Sequence, residues 1–115
     1  MRNEDIKYFV NEEKRTVVAY IEGCRDDAYD EVSRISETYG VYISSYSEAS
    51  KMPNSFRGIS KCHPDDEWNE EIGKKVARRK LFIAYNEAKL NAIRGYYKSL
   101  INATTAVFNK YFKYI

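Results

Sequence analysis

From Pro64 to the last residue, Ile115, the chain contains no further proline. Over this stretch apolar residues recur in alternating steps of four and three: Ile72, Val76, Ile83, Leu90, Ile93, Tyr97, Leu100, Val107 and Tyr111. Only Arg79, Asn86 and Thr104 interrupt that seam, whose spacing is the heptad pattern of a helix that packs along its length. Pro64 followed by Asp65, Asp66 and Glu67 suits a first turn, because proline lacks the orphan donor and the acids complement the helix dipole. An unbroken helix of about 45 residues would be about 68 Å long. A domain of 115 residues cannot cover such a rod. Either the helix turns back, or its seam pairs with a second chain. Helix propensity is weak near Asn102-Ala103-Thr104-Thr105, where Asn and Thr are poor helix formers, and the expectation is a break there with the helical layer forming a dimer interface.

The preceding residues read as short strands with one helix. Ile6 to Val10 is a short apolar-rich run, and Asn11-Glu12-Glu13-Lys14 is a polar loop of hairpin length. Arg15 to Glu22 is rich in β-branched residues and ends at Gly23, as a central strand would. From Arg25 the period changes: Ala28, Val32, Ile35 and Tyr39 share a helical face, Asp26 and Asp27 suit its start, and Gly40 its cap. Val41 to Tyr46 alternates as a strand does. Pro53-Asn54 signals a turn, and Ser55 to Cys62 reads as the last strand, with Phe56 and Arg57 on opposite faces. Gly58 inside it points to a bulge or a close backbone approach. The fold class is therefore α+β: a small antiparallel sheet with one short helix, then a long C-terminal helix or helical hairpin that oligomerises. Length fits a single domain, 1–115, with a sheet-forming part at 1–63 and a helical part at 64–115.

Charge excludes some partners. With 19 basic against 17 acidic residues the net charge is +2, too little basic excess to suggest duplex nucleic acid. No apolar run approaches the ~20 residues of a membrane span, and no apolar segment follows Met1-Arg2-Asn3-Glu4-Asp5 as in a signal peptide. The expected location is cytoplasmic. Cys24 and Cys62 form no C-x-x-C pair and are expected to be buried free thiols.

Catalytic equipment is scarce. His63 is the only histidine, and it neighbours Cys62 on what reads as a strand end, where adjacent side chains point apart. One histidine and two cysteines cannot build a zinc site unaided. The acidic run Asp65, Asp66, Glu67, Glu70 and Glu71 is explained by the helix start more simply than by a metal. Gly73-Lys74-Lys75 lacks the second glycine and the Ser or Thr of a P-loop. No catalytic residue, metal or cofactor is expected. The helix does carry a set suited to a ligand: Lys75, Arg78, Arg79, Phe82, Tyr85, Asn86 and Lys89 fall on one side at spacings of three, four and seven. Cations suit phosphate, rings suit base stacking, and an amide suits a base edge. A solvated basic face beside an apolar seam is the plain alternative.

Two stretches, Asn11 to Val32 and Met52 to Leu81, resemble the phage-encoded Thoeris anti-defence proteins, the first described family of that kind. The distinctive residues are Gly58-Ile59-Ser60-Lys61-Cys62, Asp66-Glu67-Trp68 and Gly73-Lys74-Lys75-Val76-Ala77-Arg78. The resemblance implies a non-enzymatic sponge that sequesters cyclic ADP-ribose isomers intact in the infected bacterial host. It also implies cyclic di- or trinucleotides at a separate site, and dimers that can assemble into hexamers. Arg57 and Phe82 match the family's main pocket and Asn91 a further position, although Asn91 lies on the helix face away from Phe82, so a pocket shared between chains would be needed to join them. Trp68, Arg78, Asn86 and Lys89 complete the candidate ligand-binding set. Gly23 and Arg25 correspond to the second site. The alternative function is a phage protein–protein inhibitor that docks a Tyr-rich helical face on a host protein.

Overall fold

The computed structural model describes residues 3–39 and 51–112. After a 3-10 turn at Asn3–Asp5, the described elements are β1 (Lys7–Asn11), β2 (Thr16–Glu22), α1 (Cys24–Tyr39), β3 (Ser55–Lys61) and α2 (Glu70–Phe112). The architecture is α+β, a three-stranded antiparallel sheet with a short and a long helix. The strand read at Val41 to Tyr46 and the cap at Gly40 lie outside the described residues.

The β-branched segment takes the centre of the sheet, in the order β1-β2-β3. Its alternation is clean: Val17, Ala19 and Ile21 are buried, while Val18 and Tyr20 stay partly exposed on the other face. The β1–β2 hairpin closes on Arg15, whose φ of 55° is left-handed. Its amide donates to the Glu12 carbonyl at 3.1 Å, and the Asn11 side chain accepts from the Lys14 amide at 3.0 Å. In β3, Phe56 and Arg57 do point apart: Phe56 meets the Tyr85 ring edge-on, centroids 5.8 Å apart, and Arg57 is exposed. Gly58 marks a close approach, as its sequence position suggested, and the approaching element is α2. A Cβ built on Gly58 would land on the Ala77 carbonyl oxygen and lie 2.5 Å from the Leu81 nitrogen.

Two expectations for the long helix are corrected. It begins at Glu70, not beside Pro64, because Asn69 is the better cap: its side-chain oxygen accepts from the Ile72 amide at 3.1 Å. Glu70 and Glu71 are the acids of the first turn. Nor does the helix break at 102–105; it runs unbroken to Phe112, and the Thr104 hydroxyl donates to the Leu100 carbonyl at 2.9 Å. That back-bond satisfies the hydroxyl within the helix that the residue was expected to interrupt.

The buried face of α2 is also not the seam that the heptad spacing marks. Gly73, Ala77, Leu81 and Tyr85 are buried at steps of four, and after a step of seven so are Ala92, Tyr96 and Leu100. Of the seam, Ile72, Ile83 and Leu90 are 58%, 54% and 47% exposed, and among the described residues only Leu100 joins the core. Each residue turns a helix by about 100°, so an offset of one position is enough to put the stripe on another side.

The chain divides into two compact units, Met1–Cys24 with Pro53–Ala88 and Arg25–Met52 with Lys89–Ile115. The first holds the sheet and the first part of α2, with Val17, Ala19, Ile21, Ala77, Leu81 and Tyr85 in its core. The second holds α1 and the rest of α2, with Ala28, Val32, Met52, Ala92, Tyr96 and Leu100 buried. Each large aliphatic side chain removed from water in this way contributes about 1.5–3 kcal/mol. No helix among the described residues is long and apolar enough to cross a membrane.

Candidate functional site

Helical periodicity brings most of the basic set together. Lys75, Arg78, Arg79, Phe82, Ile83 and Asn86 line one shallow hollow of about 270 Å³ on α2. Phe82 and Arg78 are half-buried, whereas Lys75, Arg79 and Asn86 are exposed. Three cations, a ring and an amide therefore share one open wall. Tyr85 does not belong to it, being 3% exposed and packed against Phe56. Lys89, which is half-buried, and Asn91, which is exposed, lie outside the lining. Asn91 is nine residues from Phe82, about half a turn around the helix.

Arg57 stands elsewhere. Strand register puts it opposite Tyr20, which in turn faces Lys7 on β1. With Phe9, Val18 and Tyr20 it lines a second hollow of about 290 Å³ on the outer face of the sheet. The bare backbone of Gly58 beside it is filled by α2 and leaves no room there for a phosphate.

Trp68 lines a third hollow, of about 420 Å³, together with Cys62, His63, Ile72 and Val76 among others. Arg15 ties its loop down. The guanidinium donates from Nη1 to the Pro64 carbonyl at 3.2 Å, and from Nη2 to the Asp66 carbonyl and, at 3.5 Å, to Cys62 Sγ. Nothing in the sequence pattern singled out Arg15, which pins this loop through contacts about fifty residues away in the chain. Cys24 is buried as expected, but Cys62 is only half-buried; both are free thiols. Nδ1 of His63 accepts from the Asp65 amide at 3.2 Å and lies 3.5 Å from the Asp65 carboxylate.

The remaining candidates have local structural roles. Gly23 adopts φ +79°, a conformation that L side chains rarely take. Arg25 donates from Nε to the Met52 carbonyl at 2.7 Å. Glu70 and Glu71 lie 3.4 and 3.9 Å from the Lys74 ammonium. Among the described residues no group of three or more His, Cys, Asp or Glu side chains is placed to hold a metal ion. No protein-family model, curated protein or solved structure matches this chain.

Proposed function

We propose that this protein is a phage anti-defence sponge, which binds cyclic ADP-ribose-type signals and holds them unhydrolysed. The observation that carries the reading is the α2 hollow, where Lys75, Arg78 and Arg79 surround Phe82 and Asn86. A cyclic ADP-ribose presents a diphosphate, an adenine ring and ribose hydroxyls. Arg78 and Arg79 can grip phosphate oxygens with paired N–H donors, and Lys75 adds a point charge. The Phe82 face stacks on the base, and the Asn86 amide offers both donor and acceptor to a polar edge. Sequestration needs no bond to break, so tight binding alone keeps the signal from its effector. A hollow this open gains from a second copy closing over it, which would also bring Asn91 of another chain to the same ligand.

Incubation with cyclic ADP-ribose isomers, removal of free ligand, heating, and mass analysis of what is released tests the proposal. Intact ligand in the heated supernatant supports it; a hydrolysed product, or no uptake of any isomer, refutes it. A protein–protein inhibitor is the second reading, favoured by the exposed aliphatic positions Ile72, Ile83, Leu90 and Ile101 on α2. Tyr97 is also exposed on α2, whereas Tyr85 and Tyr96 are buried.

A further inference from the structure

We propose that the outer face of the sheet is a stacking platform for single-stranded nucleic acid, separate from the α2 hollow. Residues two apart on a strand share a face, so the register defines two neighbouring cross-strand rows there. One row is Lys7, Tyr20 and Arg57; the next is Phe9, Val18 and Ile59. Between them, the row of Tyr8, Ala19 and Gly58 points the other way, and its Gly58 meets α2. Phe9 is 60% and Ile59 47% exposed, so no described residue covers them.

Three features fit an unstacked strand. First, Phe9 and Tyr20 are diagonal neighbours on adjacent strands, about 7–8 Å apart by ordinary sheet geometry. Two successive bases of an extended strand can each take one ring, as bases do on other aromatic sheet faces. Second, Tyr20 is flanked in its own row by Lys7 and Arg57, and Lys61 lies further along β3 on the same face. Cations placed beside the rings match phosphates placed beside bases. Glu22, on the same face of β2, lies 3.9 Å from Lys7 and 3.5 Å from the Tyr20 hydroxyl. Third, the hollow lined by Phe9, Val18, Tyr20 and Arg57 is open along the sheet, which suits a chain passing over it. An apolar protein surface seated here would have to desolvate Arg57 and the exposed Lys7–Glu22 pair, an expensive burial. Duplex DNA keeps its bases stacked and offers these rings nothing.

Fluorescence anisotropy with a labelled oligothymidylate of about 15 nucleotides in about 50 mM salt tests the proposal. Saturable binding that weakens as salt rises is expected, with Phe9→Ala weaker by about five- to a hundredfold. Arg57→Gln should lower the slope of log affinity against log salt by about 0.7, one phosphate contact on a single strand. Because Phe9 is largely exposed, the thermal melt of Phe9→Ala should match wild type, so lost binding is not lost folding. The proposal is overturned by no binding at low salt, or by equal binding of wild type and Phe9→Ala. It is also overturned if thymidine monophosphate displaces the strand at equal nucleotide concentration, which would make the ligand a free nucleotide. Loss of self-association in Phe9→Ala without any oligonucleotide binding would assign the face to a protein partner instead.

Discussion

Replacing Gly58 by alanine probes the contact that sets α2 against the sheet. The added Cβ would fall on the Ala77 carbonyl oxygen and within 2.5 Å of the Leu81 nitrogen. Both are backbone atoms of a continuous helix, so no side-chain rotation can clear them. Relief requires β3 and α2 to part by about an ångström, and a gap of 0.5–1 Å already forfeits a quarter to a half of each dispersion contact it opens. Ala77 and Leu81 are fully buried at this contact, so the loss falls on the centre of the first unit's core. Overpacking ordinarily costs 1–3 kcal/mol. With rigid obstacles on the helix side, about 3 kcal/mol or more is expected, a large share of the 5–15 kcal/mol that holds a typical domain.

Gly73→Ala is the internal control. Its Cβ would come 2.8 Å from Val17 Cγ2, a side-chain atom rather than backbone, on a buried β-branched residue that can yield only in part. Alanine also gains about 1 kcal/mol of helix propensity over glycine. The two terms oppose, and the net cost should stay below about 2 kcal/mol. Urea titration followed by far-UV circular dichroism reads both through the midpoint at constant slope. A Gly58→Ala protein within about 1 kcal/mol of wild type, or no less stable than Gly73→Ala, would refute this account of the interface.

Three further outcomes are expected. Phe82→Ala should lower affinity for a cyclic ADP-ribose isomer by about 1–3 kcal/mol in a calorimetric titration; unchanged affinity would assign the half-buried ring to packing alone. Leu90→Asp places a charge on a residue 47% exposed in the single chain, so light scattering should report a shift from dimer toward 13.5 kDa with the helical signal kept; a wild-type protein that is already monomeric at micromolar concentration would sink the dimer proposal. Tyr96→Phe should raise stability by about 1 kcal/mol. Its hydroxyl is fully buried and finds no hydrogen-bond partner among the described residues, so its removal lifts a desolvation cost, and a lower melting temperature would reveal a partner.

Local chemistry made much of this fold legible. The β-branched run at 16–22, the helix on Ala28 and Val32, and the opposed faces of Phe56 and Arg57 all follow from side-chain period and turn residues. These are properties of neighbours in the chain. The basic set on α2 was equally readable, since a helix fixes which residues share a side whatever lies beside it; Lys75, Arg78, Arg79, Phe82 and Asn86 meet for that reason. The start of α2 was written in Asn69-Glu70-Glu71, but Pro64 and its acids sent a competing signal of the same kind.

Which side of α2 faces the core was decided only by tertiary structure. The helix carries apolar residues on two sides, Ala77, Leu81 and Tyr85 on one and Ile72, Ile83 and Leu90 on another. The larger side chains make the second stripe look like the core. The sheet selects the first, because Gly58 and Gly73 remove the side chains that would hold the two layers apart, and small residues permit the closer contact. The same choice moved Tyr85 from the ligand wall into the core, left the larger aliphatic residues in water, and parted Arg57 from Phe82 by fixing the outward face of β3. Periodicity states how residues on one element are arranged around it; only a second element pressed against the first selects the face that is buried.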